Sequence, residues 1–377
     1  MTSLPDFRLE SHFSKWEFAA RFNLTASDAQ TLSLAELLAL ASPQDRAAFE
    51  KLELGYTPTF GAPDLCAAIA STYDRRTDED ILCFAGAEEG LYAAMQVLLA
   101  PGDHAIVVTP NYQAAETVPL SLCAVSGVPL EPHDNWSLDI DKVAAAIRPG
   151  TKLISINFPH NPTGKILECD RFDALVELCR RHGLWLFSDE VYRPLGPEGA
   201  VHLPQVADVY ERGVSLGVMS KAYGLAGLRI GWLACRDRDF LRRCERFKHY
   251  LSICNAGPSE RLALIALKAR EQILARNRAI VSANLVSLAA FFASYPDLFE
   301  WTRPDGGCVG YPRYLGKGGV DDFATRLVEE AGVLLLPSGI YHSELGPTPM
   351  DRFRIGFGRK GLEQGLAAFH AYLEKSS

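Results

Sequence analysis

The segment SKAYGLAGLRIGW, residues 220–232, sets a lysine beside a serine and ahead of an arginine, in a run punctuated by Gly224, Gly227 and Gly231. A lysine that forms a Schiff base with a carbonyl must sit at the end of an element, reach a pocket, and lose basicity near other positive charge. Lys221 fits that description. Ser220 and Arg229 could hold an anion beside it, since a guanidinium offers several donors to a phosphate. The glycines allow close backbone approach and turning. The plain alternative is a surface lysine and arginine on a glycine-rich turn.

Other segments carry chemistry that could converge on the same place. FPHNPTGK (158–165) puts Asn161 just past an apolar run, and Asn161-Pro162 also makes a good turn. SDEVY supplies Asp189 and Tyr192 directly after another apolar run, where Asp189 could serve a ligand or cap the next helix. AGAEEGLYAAMQVLL (85–99) opens a helical pattern at Gly86, Ala87 and Glu88. Free backbone N–H groups and the positive end of a helix dipole favour phosphate there.

These residues need elements to hold them. HAIVVT (104–109), KLISIN (152–157), LWLFS (184–188), VSLGV (214–218) and IGWLA (230–234) are nearly continuous apolar runs, as expected of strands covered on both faces. Between them, Leu91, Ala94, Met95 and Leu98 fall at helical spacing, as do Phe172, Leu175, Val176 and Cys179, with Gly183 as a stop. Alternation of this kind predicts a three-layer α/β/α domain with a mostly parallel sheet and ligand sites at the carboxyl ends of its strands. A long helical stretch over about 258–292 leads to short strands (333–336, 353–357) and further helices, which predicts a smaller α+β domain. The expected division is an N-terminal arm at 1–45, a large domain at 46–285 and a small domain at 286–377.

Net charge of −8 disfavours nucleic acid or an anionic membrane as the main partner. No apolar run reaches membrane-spanning length, and Asp6, Arg8 and Glu10 stand where a signal peptide needs apolar residues. The nine cysteines are scattered, without C-x-x-C pairs or zinc spacing, so no metal site is expected and a reducing cytoplasm is.

The lysine string resembles the S-K-x-x-G-L-x-G-x-R-x-G motif of class I/II aminotransferases, fold-type I pyridoxal-phosphate enzymes, and the resemblance runs in family order along nearly the whole chain. It implies pyridoxal 5′-phosphate joined to Lys221 as a Schiff base, with Ser220, Arg229 and the helix start at Gly86, Ala87 and Glu88 on the phosphate. It further implies that Asn161 and Tyr192 contact the phenolic oxygen, that Asp189 pairs with the ring nitrogen, and that Tyr112 stacks on the ring. Arg354, in FRIGFGR, matches the arginine that grips the α-carboxylate of the substrate, with Arg352 and Arg359 close in sequence. Tyr56, in GYTPTFG, matches a tyrosine reaching the phosphate of a neighbouring subunit, which implies a homodimer. The implied reaction moves an amino group between an α-amino acid and a 2-oxo acid.

Departures fall mainly at the substrate end. Val218 stands where many relatives carry Ser or Thr, Cys308 and Gly310 where bulky residues are common, and Ser338 where glycine is frequent. The segment SKWEFAARFNLTASD (14–28) faintly resembles arginine-modifying members such as the capreomycidine synthases. Glu17 or Asp28 could then meet a basic substrate side chain, or be ordinary surface or capping carboxylates. A lyase, cyclase or oxidase on the same scaffold is therefore the alternative reading. A regulatory protein that binds the cofactor without turnover is more remote, because no basic DNA-binding segment precedes the fold.

Overall fold

The computed structural model describes residues 4–197 and 199–376. Its centre is a seven-stranded sheet in the spatial order Ile81–Phe84, Gly231–Cys235, Gly213–Val218, Trp185–Asp189, Thr151–Asn157, His104–Thr109, Ala124–Pro129. Neighbouring strands run parallel except Gly231–Cys235, which is antiparallel to both of its neighbours. Five of the seven strands are the apolar runs read from the sequence. The other two escaped that reading for opposite reasons: Ile81–Phe84 is short, while Ala124–Pro129 lies at an edge, half-exposed, with Ser126 and Gly127 interrupting its apolar residues.

Both faces of the sheet are covered. Along Trp185–Asp189, Leu186 packs with Leu175 and Val176 on one side, while Phe187 packs with Leu91 and Met95 on the other. Alternate side chains point to opposite faces, so each interior strand feeds two helical layers. Each large apolar side chain buried in this way contributes roughly 1.5–3 kcal/mol. The helix Cys169–His182 closes on Gly183 in the left-handed conformation, with Arg180, Arg181 and His182 in its last turn facing the negative end of the dipole.

The helical stretch expected near 258–292 is two helices, Gly257–Lys268 and Arg270–Ala293, meeting at Ala269. Beyond them lies a small antiparallel sheet in which Phe353–Gly356 is flanked by Val309–Gly310 and Leu336–Pro337. The N-terminal arm joins it as Phe22–Asn23 pairs in parallel with Val333–Leu334. The arm also forms a helix, Arg8–Trp16, tied to the helix Gln113–Leu120 by Arg8 N–H to Gln113 Oε1 at 2.9 Å. No described helix is long and apolar enough to cross a membrane, and no group of His, Cys, Asp and Glu among the described residues is arranged to hold a metal ion.

Candidate active site

Sheet direction brings the chemistry to one edge. Asn157 pairs with Asp189 and Asp189 with Leu216, so the strands leading to Asn161, Asp189 and Lys221 end side by side. Gly231–Cys235 reverses direction, and Ile81–Phe84 reverses it again. The start of one and the end of the other therefore meet at the same edge, where Gly231 lies opposite both Val218 and Phe84. That register places Arg229 against the start of the Ala87–Leu98 helix.

Lys221 follows Val218 and points its amine into the cleft, donating to Ser27 Oγ at 2.9 Å. Burial lowers its pKa; Asp28 works against that shift and the Arg354 cation adds to it. Asp189 faces the same space. Burial pushes its carboxyl up to about 6, against a backbone hydrogen bond from Val191 and the attraction of Lys221. The Asn157 side-chain amide holds the Asp189 carbonyl at 2.9 Å, and Asn157 Oδ1 accepts from Asn161 N–H at 2.9 Å, so the two strand ends are cross-braced.

Arg354 is fully buried in the central strand of the small sheet. Its Nη1 donates to Asn161 Oδ1 at 3.2 Å and to the Tyr341 hydroxyl at 2.7 Å, its Nη2 donates to the Thr25 carbonyl at 2.8 Å, and its Nε has no partner. Tyr341 also donates to Asn161 Oδ1 at 2.9 Å. With that oxygen and the backbone N–H taken, the Asn161 side-chain N–H donors are the ones left for a ligand. The neighbouring arginines are engaged elsewhere. Arg352 stacks over Trp136 and donates to the Tyr311 carbonyl, while Arg359 grips both oxygens of Asp28 at 2.8 Å. Asp28 is thus neither a surface residue nor a helix cap but a buried, fully paired carboxylate. Glu17 ends the Arg8–Trp16 helix, half-buried, within electrostatic reach of Arg359. Tyr192 is buried with its hydroxyl unpartnered. Cys308 is buried within electrostatic reach of Lys221 and Tyr192.

At the other end of the cleft, Arg229 makes no ion pair among the described residues and reaches only the Ala85 and Ala226 carbonyls, both at 3.4 Å. Gly86 caps the helix with φ 104°, and a methyl group there would stand 2.6 Å from Arg229 Nη2. Ser220 is buried beside Lys221. Glu88 stays open to solvent on the cleft wall, yet burial by the surrounding protein pushes its carboxyl up to about 7. The Tyr112 hydroxyl works against that rise, while Asp189 and Glu10 add to it. Tyr112 packs on Phe7 of the arm with ring centroids 5.3 Å apart. Tyr56 is 92% exposed and so is not part of this cluster within one chain.

The site therefore gathers Lys221, Asp189, Tyr192, Asn161, Arg354, Ser220, Arg229, Tyr112 and the residues 86–88. Reading the sequence missed Ser27, Tyr341 and Asn157. Ser27 and Tyr341 lie in unremarkable contexts far from their partners in the chain, and Asn157 is simply the last residue of a strand.

A cluster of this composition on a doubly wound sheet defines a class of protein, and comparison with known proteins agrees. The model for aminotransferase class I and II matches residues 22–368. The chain belongs to that family and is a pyridoxal-phosphate-dependent aminotransferase. Capreomycidine synthase of Streptomyces vinaceus is 29% identical, covering 97% of this chain and 93% of its own. Arginine–pyruvate transaminase of Pseudomonas aeruginosa is 32% identical, covering 84% and 81%. A crystal structure of a PLP-dependent aminotransferase from Streptococcus suis superposes with a TM-score of 0.92, at 29% identity and 99% coverage of both chains.

The residues present suit the cofactor. An unpaired guanidinium beside free helix N–H groups suits a phosphate, and a carboxylate that burial pushes up to about 6 calls for a cationic partner. A buried amine of lowered basicity suits an aldehyde.

Proposed function

We propose that Lys221 carries pyridoxal phosphate and that the residues around it move an amino group between an α-amino acid and a 2-oxo acid. The observation that carries this reading is the convergence of Lys221, Asp189, Asn161 and Arg354 from four separate elements on one cleft. Bound there, pyridoxal phosphate supplies an electron sink that makes the α-proton of an amino acid acidic. Arg229, Ser220 and the N–H groups of Gly86, Ala87 and Glu88 hold its phosphate. Asp189 would keep its ring nitrogen protonated, Asn161 and Tyr192 would hold its phenolic oxygen, and Tyr112 would lie against its ring. Arg354 binds the substrate carboxylate by a two-pronged pair and so fixes the α-carbon in front of Lys221. Lys221, as a free amine of lowered basicity, would take the α-proton as general base and give it back as general acid.

The same reading takes the protein as a cytoplasmic homodimer in which Tyr56 reaches the partner subunit's phosphate. Exposed Leu54 and Tyr56 lie on a segment joined, by Thr57 Oγ1 to the Asn255 carbonyl at 2.8 Å, to the segment carrying exposed Tyr250, Leu251 and Ile253. An apolar patch of that kind marks an interaction surface. The division into an arm (1–45), a cofactor domain (46–285) and a small domain (286–377) belongs to this reading too.

The test is the visible absorption of the purified holoenzyme, titrated with single amino acids and then with oxo acids. Bleaching by an amino acid and recovery on adding an oxo acid supports transamination. Persistent colour with release of ammonia, or of a rearranged product, supports the second reading, a lyase or cyclase. The match to capreomycidine synthase along nearly the entire chain favours that alternative over others.

Two substitutions probe the ends of the cleft. Gly86→Ala adds a methyl group against Arg229 at a positive φ, so pyridoxal phosphate affinity should fall about tenfold or more. Affinity for pyridoxal, which lacks the phosphate, should stay unchanged, as read by fluorescence titration of the apoprotein. Arg354→Lys keeps the charge but loses the fork, and kcat/KM for amino acids should fall about 100-fold. Amines without a carboxylate should lose little. An equal loss for both substrate types would remove Arg354 from the carboxylate site.

A further inference from the structure

The arm segment 24–30 is inlaid between the two sheets. The small sheet holds it through Gly356 N–H to the Leu24 carbonyl at 2.7 Å and through Gln30 N–H to the Gly358 carbonyl at 2.8 Å. On the other side, Ala29 N–H donates to the carbonyl of Lys221 itself at 3.0 Å. The approach is close enough that a methyl group at Gly356 would lie 1.9 Å from the Ala26 carbonyl oxygen, and one at Gly224 would lie 2.6 Å from that of Gln30. Arg359 clamps Asp28 with two hydrogen bonds of 2.8 Å. Ser27 is therefore presented by backbone that is pinned on both sides and locked one residue further on.

The Ser27 hydroxyl stands 2.9 Å from Lys221 Nζ, the hydrogen bond this amine makes among the described residues. The ionisable groups facing Lys221 are Asp28, Arg354, Cys308 and Asp189, with Glu88 also within electrostatic reach. Arg359 already holds Asp28, and Asp189 accepts from the Val191 backbone. The buried Tyr192 hydroxyl also faces Ser27.

We propose that Ser27 is a positioning residue for Lys221, resting on the reading of Lys221 as the cofactor lysine: its hydroxyl holds the free amine in line with the substrate α-carbon and beside Tyr192. A neutral amine that donates one N–H to Ser27 keeps its lone pair free for the α-proton. Once protonated, the ammonium still donates to the same oxygen. The hydrogen bond thus survives both protonation states, no proton passes to Ser27, and the lysine need not swing between partners during the reaction. Burial already lowers the basicity of Lys221, which leaves it short of compensating contacts and makes one well-placed acceptor count.

The experiment compares wild-type holoenzyme with Ser27→Ala and Ser27→Thr. In Ser27→Ala, kcat should fall about tenfold with KM for the amino acid within about twofold, because orientation rather than binding is lost. The isotope effect from an α-deuterated amino acid should rise, and Ser27→Thr should restore most of the rate. A readout free of turnover comes from the apoprotein. There, the pH midpoint of Lys221 acylation by acetic anhydride, followed by mass spectrometry, should move to lower pH in Ser27→Ala, because an acceptor stabilising the ammonium is gone. Unchanged kcat, isotope effect and midpoint would overturn the proposal. So would a loss in Ser27→Ala that Ser27→Thr does not restore, with the midpoint unmoved, since that describes packing of the arm. Failure of the parent reading is separately visible: borohydride reduction of the wild-type holoenzyme would then leave Lys221 unlabelled.

Discussion

Lys221→Ala should lower the rate of amino transfer by at least about 10⁴-fold, since the role proposed for Lys221 makes it both the covalent attachment and the general base. Borohydride should no longer fix the cofactor to the protein, and mass spectrometry reads that directly. The fold should survive. Lys221 reaches the cleft from the end of a strand, and its amine makes a hydrogen bond to Ser27 but no ion pair among the described residues. Burial already disfavours its charge, so removing the amine removes a cost along with a contact. The melting temperature of the apoprotein should therefore stay close to wild type while turnover collapses. A small primary amine added to the variant should return part of the proton transfer, because Arg354 and Asp189 are still in place. Turnover above about 1% of wild type would mean that another group acts as the base.

Asp189→Asn should cost about 10³-fold in turnover, because a neutral amide cannot hold the proton on the ring nitrogen that the electron sink requires. The same substitution should stabilise the apoprotein, with a defined pH dependence. The folded state raises the Asp189 carboxyl from 3.8 to about 6, so between those values the folded chain binds a proton that the unfolded chain has released. Stability then falls as pH rises through that window, and the whole cost, on the order of 3 kcal/mol, is present above it. Asp189→Asn removes that cost. Its apoprotein should melt higher than wild type at pH 7.5 and equally at pH 4, by calorimetry. Adding pyridoxal phosphate should stabilise wild type more than the variant, since only the carboxylate gains a cationic partner. A variant apoprotein less stable than wild type at pH 7.5 would contradict the buried-charge account of Asp189.

How much of this was legible beforehand varies along the chain. Strands such as His104–Thr109 stood out because both of their faces are buried, which makes a continuous apolar run. Ala124–Pro129 did not, because an edge strand has one wet side and tolerates Ser126 and Gly127. The reversed direction of Gly231–Cys235 left no local mark at all. Direction in a sheet depends on which neighbour a strand meets, and the IGWLA run has the same composition either way.

By themselves, the residues 220–232, 158–165 and 185–192 determined the family and the cofactor, because that chemistry needs particular side chains at particular strand ends and leaves a local pattern. Only the tertiary structure decided that Arg354, rather than Arg352 or Arg359, meets Asn161, since three arginines so close in sequence differ only in what lies opposite them. It also decided that Asp28 is spent on Arg359, and that Ser27, from the other end of the chain, stands against Lys221. Contacts of that range arise from the packing of the arm between two sheets, and no spacing along the chain encodes them.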